Sequence, residues 1–126
     1  MKKLTAGKGA DVILDLVGGD VFDECIRCIN VLGRIVVMGF TSGRIPTIPA
    51  NPVLLKNCTI HGVFLGGWSN NDPVAAKQLN QELMELCAKA NLSAHISLRF
   101  PFEEAREAML TLRSRTTVGK ILVSVP

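Results

Sequence analysis

Apolar and polar positions follow two alternating rhythms along this chain. Asp11 to Val17 (DVILDLV) is an apolar run with one interrupting aspartate, the pattern of a strand covered on both faces, and Gly18 with Gly19 ends it. From Asp20 the spacing changes. Phe22, Cys25, Ile26 and Ile29 fall at i, i+3, i+4 and i+7, which predicts an amphipathic helix with Asp20 as its N-cap, Asp23 in its first turn and Gly33 beyond its end. Arg34 to Phe40 (RIVVMGF) is again apolar and β-branched, so the three pieces predict a right-handed βαβ unit.

The stretch TSGRIPTIPANP is a loop by composition, because its three prolines lack backbone donors. Asn51 is expected to cap a short helix with Pro52 in its first position, ending near Lys56. Cys58 to Leu65 (CTIHGVFL) predicts a third strand, closed by Gly66 and Gly67. Asp72 and Pro73 start a long helix whose buried stripe is Leu79, Leu83, Leu86 and Ala90, with Asn91 to terminate it. Beyond lie a strand over Ala94 to Phe100, a helix striped by Phe102, Ala105, Met109 and Leu112, and a last strand over Gly119 to Val125. The alternation predicts an α/β fold in which the first ninety or so residues form half of a doubly wound parallel sheet.

Composition narrows the function classes. At 126 residues with 48% apolar and 20% charged positions, the chain can bury a core but does not fit a complete two-domain enzyme. Fourteen Lys and Arg against eleven Asp and Glu give a formal charge of +3, scattered along the chain, so nucleic acid is not expected as a partner. Apolar runs fall short of the roughly 18 residues that cross a bilayer, and Lys2 and Lys3 lead into no apolar signal core. The expectation is a soluble protein away from membranes, with Cys25, Cys28, Cys58 and Cys87 reduced and the sequons at Asn57 and Asn91 chance matches.

Most candidate motifs have a plainer reading. Cys25 and Cys28 share CxxC spacing but sit within a predicted helix without a second pair, so buried helix cysteines outweigh a metal or redox site. His61 and His95 lie in predicted strands with no carboxylate or nucleophile at a telling spacing. The GKGAD at Gly7 to Asp11 leads into a strand and lacks the third glycine of a dinucleotide fingerprint; Gly119-Lys120 lacks the remainder of a phosphate loop; and the PxxP at Pro46 to Pro49 is a loop between α/β elements. What remains is positional. Ligands of an open parallel sheet bind outside the carboxyl ends of its strands, here Val17-Gly18-Gly19, Gly39 to Gly43 and Phe64 to Gly67. Amides at the start of the Asp20 helix would favour an anion there, while Asp20 and Asp23 would oppose one.

Three stretches, GADVILDLVGGDVF, GRIVVMGFTSGRIPTIPANPVLLKN and FPFEEAREAMLTLRSRTTVGKILV, together resemble the C-terminal part of the quinone oxidoreductase branch of the medium-chain dehydrogenase/reductase superfamily. The resemblance covers essentially the whole chain in uninterrupted order. It implies the C-terminal half of a dinucleotide-binding domain over residues 1–91, and over 92–126 a segment that returns to a GroES-like catalytic domain. It also implies NADP(H) as cofactor, no zinc, and hydride transfer to a quinone or an activated alkene or carbonyl. Carried over by position, Val17 and Gly18 line the cofactor ribose, Phe40 and Thr41 meet the cofactor from the loop after their strand, Phe64 and Leu65 flank the nicotinamide, and Lys120 lies near the cofactor in the closing strand. No catalytic residue is assigned.

The catalytic domain, the first three strands of the dinucleotide-binding domain and its glycine-rich pyrophosphate turn are missing from the sequence, so the chain alone is expected to be inactive. Strand 58–65, an edge that pairs with its twofold mate in the family, implies a homodimer, and a non-catalytic dimerisation module is the alternative function. An unrelated nucleotide-binding α/β protein is a third. The expected compartment is the cytoplasm, with the mitochondrion left open.

Overall fold

The computed structural model describes residues 1–89 and 93–126. The chain divides into two compact units, Met1–Pro73 and Val74–Pro126. This division concerns compactness. The expected boundary at residues 91 and 92 concerns membership in the domains of an intact relative, and those two residues lie outside the described ones, as does Ala90.

In the first unit, β1 (Ala10–Asp15), β2 (Ile29–Val37) and β3 (Thr59–Gly62) form a parallel sheet in that order. Helix α1 (Gly19–Cys28) connects β1 to β2, and α2 (Ala50–Lys56) precedes β3. The expected spacing is borne out in the core: Phe22, Cys25, Ile26 and Ile29 are buried together with Ile35 and Cys58, and Ile13, Val37, Val53 and Ile60 pack against them. Phe22 and Ile35 are fully enclosed.

Local details depart from the sequence pattern for identifiable reasons. Strand β2 begins at Ile29, where the expected helix still ran, and its pairing with β1 is interrupted until Arg34. Gly33 permits this, since a Cβ there would lie 2.6 Å from Ile29 Cγ1. The strand ends at Val37, three residues before the expected Phe40, because the chain then turns across the rim of the sheet. Asp20 is not the N-cap of α1; Gly18 is, and it makes no side-chain cap. Asn51 likewise falls inside α2, which starts from Pro49. The C-terminus of α1 is instead closed from outside, by the Lys56 ammonium donating to the carbonyls of Ile26, Arg27 and Ile29 at 2.8, 2.9 and 3.0 Å.

The third strand stops at Gly62, and Leu65, Gly66 and Gly67 belong to a short helix, α3 (Leu65–Asn71), where the sequence suggested a strand end and a glycine turn. In the second unit, α4 (Pro73–Lys89) starts at the expected proline. Its stripe is not buried in this chain: Leu79, Leu83 and Leu86 are each about half exposed. The parallel pair β4 (Ile96–Pro101) and β5 (Lys120–Ser124) is joined through a 3-10 turn at Phe102–Glu104 and helix α5 (Ala105–Arg113). No described helix is long and apolar enough to cross a membrane.

Candidate functional site

The carboxyl ends of β1, β2 and β3 form one rim, and the loop after β2 is stitched across it. The amide of Met38 donates to Asp15 O at 2.7 Å, that of Thr41 to Leu16 O at 3.1 Å, and that of Ser42 to Val17 O at 3.0 Å. The Gly19 amide returns the contact by donating to Arg44 O at 3.0 Å. The Arg44 guanidinium reaches both Asp20 (3.0 Å) and Asp23 (2.5 Å), and these carboxylates hold its pKa above the usual arginine value, with the Asp23 hydrogen bond the largest cause. The loop is thus a fixed part of the rim.

Within it, Val17 is half-buried and Gly18 is buried at φ 68°, a left-handed conformation that favours glycine. A Cβ at Gly18 would lie 2.8 Å from Phe40 Cδ1 and 3.0 Å from Arg44 O. Both amides preceding α1 are satisfied by one group: Asp15 Oδ1 accepts from Val17 N at 2.9 Å and from Gly18 N at 3.0 Å. Between β2 and β3 the rim opens into a cavity of about 630 Å³, lined by Val37, Met38, Gly39, Phe40, Gly62, Val63 and Phe64. None of these side chains titrates. The cavity can accept a flat, weakly polar ring and exclude water from one side of it, but offers no acid or base.

The structure therefore gathers Val17, Gly18, Phe40 and Thr41 at one strand end and sets Phe40 with Phe64 around one cavity. Phe64 is the N-cap of α3 and Leu65 its first residue. Lys120 lies in the second unit, exposed at the start of β5, where its amide donates to His95 O at 2.8 Å. Sequence reasoning passed over Asp15, although its signal was present: a single carboxylate inside an apolar strand, just ahead of a glycine pair.

A dinucleotide and a metal fare differently against these residues. The apolar cavity fits a nicotinamide ring. The start of α1 does not fit a pyrophosphate, because its Gly19 amide is taken by Arg44 O and Asp20 and Asp23 place negative charge in the way. Among the described residues no group of three His, Cys, Asp or Glu could hold a metal. The Cys25 thiol is pushed up from 9.0 to about 11, first by burial and then by Asp15, Cys28 and Glu24, which opposes the thiolate a metal needs.

Comparison with known proteins gives concordant results. The family described as zinc-binding dehydrogenase matches residues 1–123. Quinone oxidoreductase-like protein 2 of Bos taurus is 39% identical over 124 residues, covering 98% of this chain and 35% of that protein. The chain thus spans about a third of the length of such relatives. Among solved structures, an NAD-dependent alcohol dehydrogenase superposes with a TM-score of 0.77 at 27% identity, over 99% of this chain and 34% of its own. A mycobacterial protein solved in complex with NADPH superposes with a TM-score of 0.78 at 22% identity, over 98% and 38%, a likeness of fold alone.

Proposed function

Because this chain belongs to the zinc-binding dehydrogenase family of the medium-chain dehydrogenase/reductase superfamily, we propose that it is the cofactor-side segment of an NADP(H)-dependent, quinone oxidoreductase-like enzyme that uses no zinc. Residues 1–91 are then the later half of the dinucleotide-binding domain and 92–126 the segment returning to the catalytic domain. The substrate class is a quinone or an activated alkene or carbonyl. The observation that carries this reading is the apolar cavity at the carboxyl rim between β2 and β3, walled by Phe40 and Phe64. NADP(H) rather than NAD(H) is the choice that the resemblance to the quinone oxidoreductase branch supports; one neighbour of the same fold was solved with NADPH, and the NAD-dependent neighbour is the competing case.

When bound, the cofactor supplies hydride from its nicotinamide. The residues of this chain would do the rest by shape. Val17 and Gly18 would border the ribose by packing, since their backbone groups are already hydrogen-bonded within the rim, Thr41 would border it from the loop, and Phe40, Phe64 and Leu65 would keep water from the ring. Lys120, in the second unit, would lie near the cofactor in the intact protein, as the resemblance implies. Proton delivery to the reduced substrate falls outside the cavity residues, which carry no titrating group.

The pyrophosphate does not fit the start of α1, so the chain alone should bind NADPH too weakly to saturate at micromolar concentration and should turn nothing over. Titration of NADPH into the purified chain, followed by fluorescence and by absorbance at 340 nm with a quinone present, tests this; micromolar affinity or turnover would overturn it. In the full-length protein, Phe40→Ala and Phe64→Ala should raise the KM for NADPH.

A second reading has its own observation. Strand β3 pairs with β2 on one side and forms an edge of its sheet, and such an edge is a template for another strand. It supports a homodimer through β3, the part of the expected strand 58–65 that is extended, on which the chain would act as a non-catalytic dimerisation module. A monomer by light scattering at high micromolar concentration would count against it. The compartment that suits this function is the cytoplasm or the mitochondrion.

A further inference from the structure

At the end of β1, the Asp15 side chain is only 2% exposed. Its Oδ1 accepts from the Val17 and Gly18 amides, while its Oδ2 is buried with no hydrogen-bond partner among the described residues. A half-satisfied buried carboxylate is costly, and an apolar residue would suit this strand better. What the carboxylate secures is the turn. The two amides precede the first turn of α1, and the Gly18 cap has no side chain with which to satisfy them. With Asp15 in place, Gly18 is held at φ 68° and lies so close to Phe40 that a single Cβ would intrude. Phe40 in turn walls the cavity. A continuous path of contacts therefore runs from the buried carboxylate through the Gly18 backbone to the Phe40 ring.

We propose that Asp15 is a positioning residue of the nicotinamide edge, setting cofactor affinity by holding Gly18 and, through it, the Phe40 wall. The proposal rests on the reading of this rim as the cofactor edge. It assigns the work to the acceptor oxygen Oδ1, so an asparagine, which presents a carbonyl oxygen at the same place, should substitute for most of the function. Alanine should not.

The test has two arms. In the 126-residue chain, amide exchange followed by NMR should show Val17 and Gly18 exchanging about tenfold faster or more in Asp15→Ala, while amides of Phe22 to Ile26 stay protected; Asp15→Asn should remain close to the unsubstituted chain. In the full-length protein, Asp15→Ala should raise the KM for NADPH about tenfold with a smaller change in kcat, and Asp15→Asn should restore most of the affinity. Unchanged exchange in a folded Asp15→Ala chain overturns the positioning step alone. A full-length protein that fails to bind NADPH even without substitution overturns the cofactor reading instead. An Asp15→Asn variant as impaired as Asp15→Ala refutes the role of the acceptor oxygen. Should Asp15→Ala not fold, Asp15→Glu moves the oxygens by one methylene and should raise KM in the same sense; an unaltered KM in folded Asp15→Glu rejects the proposal.

Discussion

Residues 1–73 and 74–126 are built from the same parts, parallel strands and the helices that accompany them, yet they bury their apolar residues to very different extents. In the first unit α1 and α2 lie against a three-stranded sheet, and Phe22, Cys25, Ile26, Ile29, Ile35 and Cys58 close into a core. In the second, the described apolar residues that are buried are Ala76 and Ala108, while Met84, Met109 and Leu112 remain more than half exposed. A two-stranded sheet has too little surface to cover the stripes of its helices. The same amphipathic pattern therefore means a closed core on one face of the sheet in the first unit and no comparable core in the other. Even in the first unit the expected cover on both faces of β1 is absent, since Val12, Leu14 and Leu16 are about half exposed or more. That contrast agrees with a segment that spans a third of its relatives' length.

The largest expected effect would come from the enclosed aromatic of the first unit. Phe22→Ala should cost about 3–5 kcal/mol, whereas Met109→Ala on the exposed face of α5 should stay within about 0.5 kcal/mol. Urea unfolding followed by Trp68 fluorescence for the first unit and by circular dichroism for the whole chain compares them. Equal effects would erase the distinction between the units.

Lys56→Met should be next, at about 1–3 kcal/mol, because three carbonyls at the end of α1 lose a shared charged donor. A midpoint equal to that of the unsubstituted chain would show that water closes this helix end equally well.

The smallest effect is one of pH. With the Cys25 thiol raised from 9.0 to about 11, the folded first unit favours the neutral form. Its contribution is fully present below pH 9 and lost as pH rises toward 11, since above 9 the unfolded chain releases the proton first. The unfolding midpoint should fall across that window. At pH 8 a disulfide reagent should modify the partly exposed Cys28 and Cys87 well before the buried Cys25. Prompt modification of Cys25 would show that the first unit opens as readily as the second.

The sequence was most legible where periodicity and burial coincide. The i, i+3, i+4 spacing of Phe22, Cys25 and Ile26 located the core face of α1, the i+7 residue Ile29 proved buried at the start of β2, and the apolar runs located β1 and the paired part of β2. It was least legible where a backbone group is satisfied by something distant in the chain. Asp20 looked like a cap by position, but Asp15 had already claimed the turn and Arg44 had claimed both Asp20 and the Gly19 amide. Leu65 to Gly67 looked like a strand end because glycine disfavours helices, and α3 forms there regardless. The rim residues Val17, Gly18, Phe40 and Phe64 could be placed from strand order. That Phe40 leans on Gly18 and shares a cavity with Phe64 could not, since neither contact leaves a periodic trace.

By itself, then, the sequence determined the α/β order of elements, the buried face of α1, the glycine-bearing strand ends and, through its motifs, the family. Those are properties of neighbouring residues, fixed by backbone preference and by the period of apolar side chains. Only the tertiary structure decided that the loop after β2 is tied down across the rim, that a buried aspartate holds the turn beneath it, and that the stripe of α4 goes uncovered. Each of these depends on which groups far apart in the chain meet, and therefore on where the hydrogen bonds and apolar surfaces of one element find their partners in another.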